Sequence, residues 1–323
     1  MNKKILVVGV GGIGFRHFQA LFNCEEKIEI YVLDICDDAI RRAKEYGDSL
    51  NSGVNVFYLQ NISDVPEYVD VAIIATSSLP RRRIFENLVE KHQVDKIIFE
   101  KFLFPRMEDY DCVERIIKER KIEAYVDCAA RIYDFYNEIK ERMKNFKFFT
   151  ASIRGGNWGL ACNAIHMLHL IAYLSGEDEK KVNCIGLLEN NIFKSKRNGY
   201  MEFFGKIIGS FGENVSFSIE CDHSDAPLVY DFFTDENYFC VKQGEEIYSA
   251  ISLNRLNEIE TKDADFLFIS QITNRNIDCL LRGEGAFLPK YSESRPLHES
   301  LLKVFMEHCE KVENKKMDLC PIT

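Results

Sequence analysis

Ile5-Leu6-Val7-Val8-Gly9-Val10-Gly11-Gly12-Ile13-Gly14 is the stretch on which the fold turns. Its first half is almost wholly apolar, as a strand covered on both faces requires. It then runs into glycines in the spacing Gly9-x-Gly11-x-x-Gly14, with a helical stretch from Phe15 to Phe22 beyond. In a strand–turn–helix unit one glycine permits the tight turn, one lets a pyrophosphate approach the backbone, and one allows helix and strand to pack. The start of the helix offers N–H groups and a partial positive charge to phosphate. Gly9, Gly11, Gly12, Ile13 and Gly14 are therefore candidate cofactor contacts. Asp34 closes the next apolar run, Ile28 to Leu33, 20 residues after Gly14. A carboxylate there accepts the hydroxyls of an adenosine ribose and repels a 2′-phosphate. The nearest arginines, Arg41 and Arg42, come about two helical turns later, so NAD is favoured over NADP.

Outward from this unit the pattern repeats. A charged helix follows Asp37 and Asp38. Val69–Ala75, Ile97–Phe99 and Glu123–Val126 read as buried strands, with helices at Arg81–His92 and Glu108–Arg120. This alternation implies βαβ units and a parallel sheet, a doubly wound dinucleotide-binding domain over residues 1–125. After Arg131 the pattern changes. Helices are expected at Tyr133–Lys144 and Ala161–Leu174, and strand-like segments dominate from Val182 to Leu281. Val215, Phe217, Ile219 and Cys221 alternate with polar or small residues, as in a sheet with one wet face. An amphipathic helix at Leu297–Val312 closes the chain. Residues 126–323 are expected to form an α+β domain with a mostly antiparallel open sheet, serving substrate binding and oligomerisation.

The composition limits the function. At 323 residues the chain has room for two domains, and 46% hydrophobic with 28% charged residues excludes a disordered chain. With 41 basic and 51 acidic residues the net charge is −10, which argues against a general binder of nucleic acid. Eleven scattered cysteines, without a C-x-x-C pair, argue against a disulfide framework and a zinc ribbon. Reduced thiols in a cytoplasmic protein are the simplest account. No apolar run reaches the ~18 residues of a membrane helix.

Two further groups carry chemistry. Glu100-Lys101 follows the strand Ile97–Phe99, at the sheet edge where open α/β folds bind ligands. Lys101 there is either a general acid/base and oxyanion holder or a surface lysine paired with Glu100. Cys162, His166 and His169, spaced four and three apart, share one face of the predicted helix. They admit three readings: a C-x3-H-x2-H metal site, core histidines, or one catalytic histidine.

Together, the glycine loop, Ala75-Thr76-Ser77, Glu100-Lys101 and the His166 helix resemble the glucose–fructose oxidoreductase/inositol dehydrogenase (Gfo/Idh/MocA) family over most of the chain. The resemblance implies a Rossmann domain followed by an α/β domain, and an NAD(P)-dependent oxidoreductase acting on sugars. It adds Thr76, Ser77, Glu100 and Lys101 to the cofactor contacts. The family's Glu-Lys-Pro motif falls on Glu100-Lys101-Phe102, making Lys101 a catalytic lysine. Its Asp-x-Gly-x-His-x-x-Asp helix falls on Cys162, Ala164, His166 and His169, leaving His166 as general acid/base. Arg131, Cys162, Asn163 and His169 become substrate-side residues, with no metal, and a homodimer or homotetramer is implied. Phe102, Cys162, His169 and Arg81 depart from the pattern, so the lysine loop is expected to be set differently and a non-catalytic NAD-binding partner protein is the alternative. Asn157-Trp158-Gly159, Lys196–Tyr200 and Glu293–His298 are similar to the variant found with bacterial surface-sugar genes. That points to a nucleotide sugar, amino sugar or nonulosonate, with Arg197 and Arg295 as candidate anion contacts.

Overall fold

Apolar runs separated by amphipathic helices give β1 (Lys3–Val8), β2 (Ile28–Leu33), β3 (Asn55–Leu59), β4 (Tyr68–Ile74), β5 (Gln93–Phe99) and β6 (Glu123–Val126). Between them run α1 (Gly12–Leu21), α2 (Asp37–Ser49), α3 (Ser78–Lys91) and α4 (Met107–Arg120). The computed structural model describes residues 2–253 and 259–323. The six strands form one parallel sheet in the order β3-β2-β1-β4-β5-β6. Chain order reverses beside β1, which makes the carboxyl ends of β1 and β4 a topological switch point, the position where such sheets bind ligands. Ile5, Leu6, Val7, Ile73, Ile74, Ile97 and Phe99 are fully or almost fully buried. Each such side chain contributes about 1.5–3 kcal/mol on leaving water. Their unbroken burial explains why these segments show no polar alternation.

The later chain contains α5 (Asp134–Arg142), β7 (Phe149–Gly156) and α6 (Leu160–Ser175), then β8 (Val182–Leu188), β9 (Phe193–Lys194), β10 (Met201–Glu202) and β11 (Gly205–Phe211). β12 (Val215–Asp222), β13 (Val229–Thr234), β14 (Asn237–Lys242), β15 (Ile247–Ser252) and β16 (Ile259–Asp263) follow, and the chain ends with α7 (Ile269–Arg282) and α8 (Tyr291–Glu313). Eight strands form a second sheet, β16-β15-β14-β13-β7-β12-β11-β8, antiparallel except where β7 pairs with β12. β9 and β10 form a separate antiparallel ribbon. The doubly wound sheet and the mostly antiparallel one are both as expected. No described helix is long and apolar enough to cross a membrane.

One stretch departs from the sequence reading. The strand-like region expected to reach Leu281 stops at Asp263, and Ile269–Arg282 is helix. Apart from Asp278, its buried positions, Ile272, Thr273, Asn276, Ile277 and Leu280, form a stripe that recurs every three or four residues. Polar Thr273 and Asn276 within that stripe disguise its helical period. The helix also changes the partition of the chain. One compact unit comprises residues up to Phe104, Glu108–Asp127 and Leu267–Tyr291; the other comprises Pro105–Met107, Cys128–Phe266 and Ser292–Thr323. The expected second domain is thus interrupted, because α7 belongs with the parallel sheet.

Candidate functional site

The glycine turn assigns different tasks to its glycines. Gly9 has φ +85°, and a Cβ there would lie 2.9 Å from Thr76 Cγ2. A Cβ on Gly14 would lie 1.8 Å from the Gly9 carbonyl oxygen. These two glycines are therefore required by the fold itself, to make the turn and to let α1 pack on it. Gly11 and Gly12 differ, because a Cβ on either meets nothing within 4 Å. Their missing side chains leave open room at the start of α1, whose first turn has no side-chain cap. N–H groups there lack intrahelical partners. Open backbone, free donors and a helix N-terminus together fit a pyrophosphate.

Asp34 flanks the same turn. Its Oδ2 accepts from the Val10 N–H at 2.7 Å and its Oδ1 from the Cys36 N–H at 2.9 Å. The carboxylate therefore braces the turn as well as marking the end of β2. Arg42, which the sequence reading placed two turns away, folds back along α2. Its Nη2 donates to the carbonyls of Val10 and Gly11, 2.7 Å each, while the guanidinium lies 4.5 Å from the centre of the Phe15 ring. A cation thus stands at the glycine turn beside Asp34, which distance along the sequence concealed.

Thr76 and Ser77 follow β4, level with the glycine turn, and the Ala75 N–H still donates to Val8 O at 2.9 Å. Thr76 Oγ1 is buried and has no hydrogen-bond partner among the described residues. Arg81, 1% exposed, reaches back from α3 and donates to the carbonyls of Thr76, Phe102 and Leu103. It ties the loop after β4 to the loop after β5. The sequence reading saw only a departure from a family pattern at this position. The Lys101–Phe102 peptide is cis although no proline is present.

Glu100 follows β5 and turns inward. Its Oε1 lies 2.9 Å from His17 Nε2, and its Oε2 accepts from the Lys101 N–H at 3.1 Å. His17 Nδ1 lies 2.8 Å from Thr273 Oγ1, and Asp127 Oδ2 lies 3.6 Å from His17 Nε2. Among the described residues, His17, Glu100 and Asp127 are the one group of three potential metal ligands whose donor atoms lie within 4.8 Å of one another. Burial opposes the charge on Glu100, but the hydrogen bond and charge of His17, helped by Lys101 and Arg81, hold its carboxyl well below the usual range. Burial and the neighbouring Glu100 charge push Asp127 upward. Burial works against protonation of His17, yet Glu100 and Asp127 outweigh it and raise its pKa. The sequence reading missed His17, Asp127 and Thr273. The one signal for them was a histidine on the buried face of α1, three residues after Gly14.

In the other unit, α6 starts after Gly159, at φ +83°. Glu202 Oε1 accepts from the N–H groups of Ala161 at 2.5 Å and Phe203 at 3.0 Å, so a carboxylate caps the helix. Asn163 Nδ2 donates to Trp158 O at 2.8 Å, and Cys162 Sγ lies 3.6 Å from Gly159 O. His166 is half-buried. His169 is 4% exposed with Nε2 on Ser294 Oγ at 2.7 Å, and burial, with His298 nearby, holds it neutral by depressing its pKa. Arg131 pairs with Glu293 at 2.8 Å, Arg197 donates to Thr323 Oγ1 at 2.9 Å, and Arg295 pairs with Glu299 at 2.9 Å. The structure thus gathers Gly9–Gly14, Asp34, Thr76, Ser77, Glu100 and Lys101 at the carboxyl ends of neighbouring strands. Cys162, Asn163, His166 and His169 lie along one helix.

No protein-family model and no curated protein matches the sequence. Solved structures do share the fold. A Gal80p super-repressor mutant from Saccharomyces cerevisiae superposes with a TM-score of 0.76 at 13% identity, covering 97% of this chain and 98% of that one. An oxidoreductase from Agrobacterium radiobacter, solved with NAD+, L-tartaric acid and magnesium, gives 0.73 at 13% identity over 96% and 97%. A UDP-N-acetylglucosamine 3-dehydrogenase from Acidithiobacillus ferrooxidans gives 0.70 at 13% identity over 94% and 97%.

Proposed function

We propose that the chain is an NAD-dependent oxidoreductase acting on a hydroxyl- or keto-bearing carbon of a sugar-like substrate. The observation that carries this reading is the pair Gly11 and Gly12, whose open space the fold itself does not require, at an uncapped helix N-terminus beside Asp34. The nicotinamide supplies the hydride chemistry when bound. The N–H groups of the first turn of α1 hold the pyrophosphate, and Asp34 receives the ribose hydroxyls while disfavouring a 2′-phosphate. By the family resemblance, Lys101 steadies the reacting oxygen and His166 exchanges its proton, with the two roles open to exchange. Arg131, Cys162, Asn163 and Arg197 are assigned to the substrate and His169 to orientation. The same resemblance supports a homodimer or homotetramer and a nucleotide sugar, amino sugar or nonulosonate as substrate, and the scattered cysteines support a cytoplasmic location.

A second reading has its own support. Cys162 and His169 replace the carboxylates expected on α6, and the fold is shared with a super-repressor mutant of Gal80p. An NAD-binding regulatory or partner protein without turnover is consistent with both.

Calorimetry with NAD and NADP tests the cofactor first. NAD should bind more tightly than NADP, and Asp34→Ala should narrow the difference. Tighter binding of NADP by the unaltered chain would overturn the assignment, and the position of Arg42 makes the comparison demanding. NADH fluorescence across a panel of nucleotide sugars and amino sugars then separates enzyme from partner protein. With an active substrate, Lys101→Ala and His166→Ala should each lower kcat by ~10²–10⁴-fold and leave NAD affinity nearly unchanged.

A further inference from the structure

His17, Glu100, Asp127 and Thr273 come from α1, the residue after β5, the residue after β6, and α7, and each is less than a tenth exposed. Their hydrogen bonds locate the protons. Thr273 Oγ1 donates to Ile269 O at 3.0 Å, so its proton is spent on a carbonyl that only accepts. His17 Nδ1 must therefore be the donor to Thr273. Lys101 N–H donates to Glu100 Oε2, and Glu100 Oε1 faces His17 Nε2, so one proton occupies the gap between carboxylate and ring. A carboxylate oxygen of Asp127 lies within 4.8 Å of one of Glu100, and of two buried carboxylates that close one keeps its proton. The cluster is then an imidazolium, a carboxylate and a neutral acid. Its net charge is zero, the condition under which such groups tolerate burial. From the surrounding elements, the charged groups acting on it are Lys101 and Arg81, both cations.

We propose that His17, Asp127 and Thr273 are positioning residues for Lys101. With Glu100 they form a proton-filled cluster that fixes the peptide N–H of Lys101, and it ties the end of β5 to the helix that opens at the glycine turn. The role rests on the assignment of Lys101 to the chemistry. Loss of the Asp127 proton sets a second buried anion beside Glu100, and the repulsion loosens the Lys101 peptide. The arrangement of the lysine loop is thereby pH-sensitive. The raised pKa of His17 and of Asp127 and the lowered one of Glu100 agree with this proton inventory.

Nitrogen-15 histidine NMR and amide hydrogen exchange on the full chain, without ligand, test the proposal. His17 should carry protons on both ring nitrogens at pH 7. Asp127→Asn should keep both, because its carboxamide replaces the acid proton toward Glu100. Glu100→Gln should leave His17 singly protonated. In the unaltered chain the protection factor of the Lys101 amide should fall by up to about tenfold for each pH unit between the ordinary carboxylate range and the raised Asp127 value, and level off above it, and in Asp127→Asn that dependence should vanish. A cluster that merely packs would not lose its pH dependence with one isosteric change. A singly protonated His17 at pH 7, one equivalent of bound metal, or unchanged pH dependence in Asp127→Asn would each overturn the proposal. If Glu100→Gln does not fold, Asp127→Asn still decides. Undiminished turnover in Lys101→Ala would remove the assignment of Lys101 and leave the proton inventory standing.

Discussion

Arg81→Met is the substitution whose cost the structure defines best. The guanidinium is 1% exposed and serves three backbone carbonyls, those of Thr76, Phe102 and Leu103. Methionine fills much of the space but donates nothing. A buried acceptor left without its donor costs about 1–3 kcal/mol. Simple addition over three carbonyls would reach ~9 kcal/mol, but the three share one cation and their losses are not additive. The loops also relax toward water once the clamp is gone. The loss should therefore lie between one orphaned acceptor and the full sum, about 3–5 kcal/mol. Arg81 is also one of the cations that keep Glu100 ionised, which favours the upper part of the range. At about 2–4 °C per kcal/mol for a chain of this size, the midpoint should fall by roughly 10 °C or more.

Urea denaturation followed by circular dichroism measures the loss, and amide exchange over residues 74–81 and 99–104 locates it. Arg81→Lys should recover only part, because an ammonium is a compact charge without the planar fork of guanidinium. A loss below ~1 kcal/mol for Arg81→Met would refute the clamp, placing the variant among ordinary surface changes.

Two further predictions separate ligand from fold. Gly14→Ala drives a Cβ into the Gly9 carbonyl and should cost more than about 2 kcal/mol by urea denaturation, at or above the middle of the range for overpacking. Gly12→Ala meets nothing and lies in a helix, so stability should hold or rise by up to ~1 kcal/mol, while calorimetry should show weaker NAD binding. Unchanged binding would count against the pyrophosphate assignment. The third concerns pH. Above the ordinary carboxylate range the unfolded chain has lost the Asp127 proton while the folded chain keeps it. Stability should therefore fall as pH rises from about 4 toward the raised Asp127 value, by ~1.4 kcal/mol for each pH unit of that interval. Asp127→Asn should remove that slope. The separate loss that follows deprotonation of His17, as pH rises through its raised folded value, should remain. Parallel curves of midpoint against pH for the two chains would show that Asp127 titrates as an ordinary carboxylate.

What the sequence made legible was local. The run from Ile5 to Gly14 and the distance to Asp34 contain their own geometry, because strand, turn and helix are contiguous. Sheet order followed from the alternation of elements. What it concealed depends on neighbours brought together by that order. Glu100 and Asp127 lie 83 and 110 residues after His17, and they meet only because β5 and β6 end side by side. Thr273 arrives through a helix whose polar stripe hides its period. Arg42 is distant from the glycine turn along the chain, whereas α2 returns its side chain to that turn.

The same distinction bears on the histidines of α6. Cys162, His166 and His169 share a helical face, and spacing alone cannot rank them. The structure separates them by burial and partners. His169 is enclosed, neutral and committed to Ser294, so it offers little to a solvent-borne substrate. Cys162 sits beside the carbonyl of Gly159, and the helix contains no aspartate, glutamate, lysine or arginine from Leu160 to Ser175. The carboxylate that caps the helix is Glu202, whose Oε1 already receives two N–H groups. On the proposed assignment, proton exchange from this helix would fall to the half-buried His166. On that assignment, the loss expected in His166→Ala should have no counterpart of similar size in Cys162→Ser.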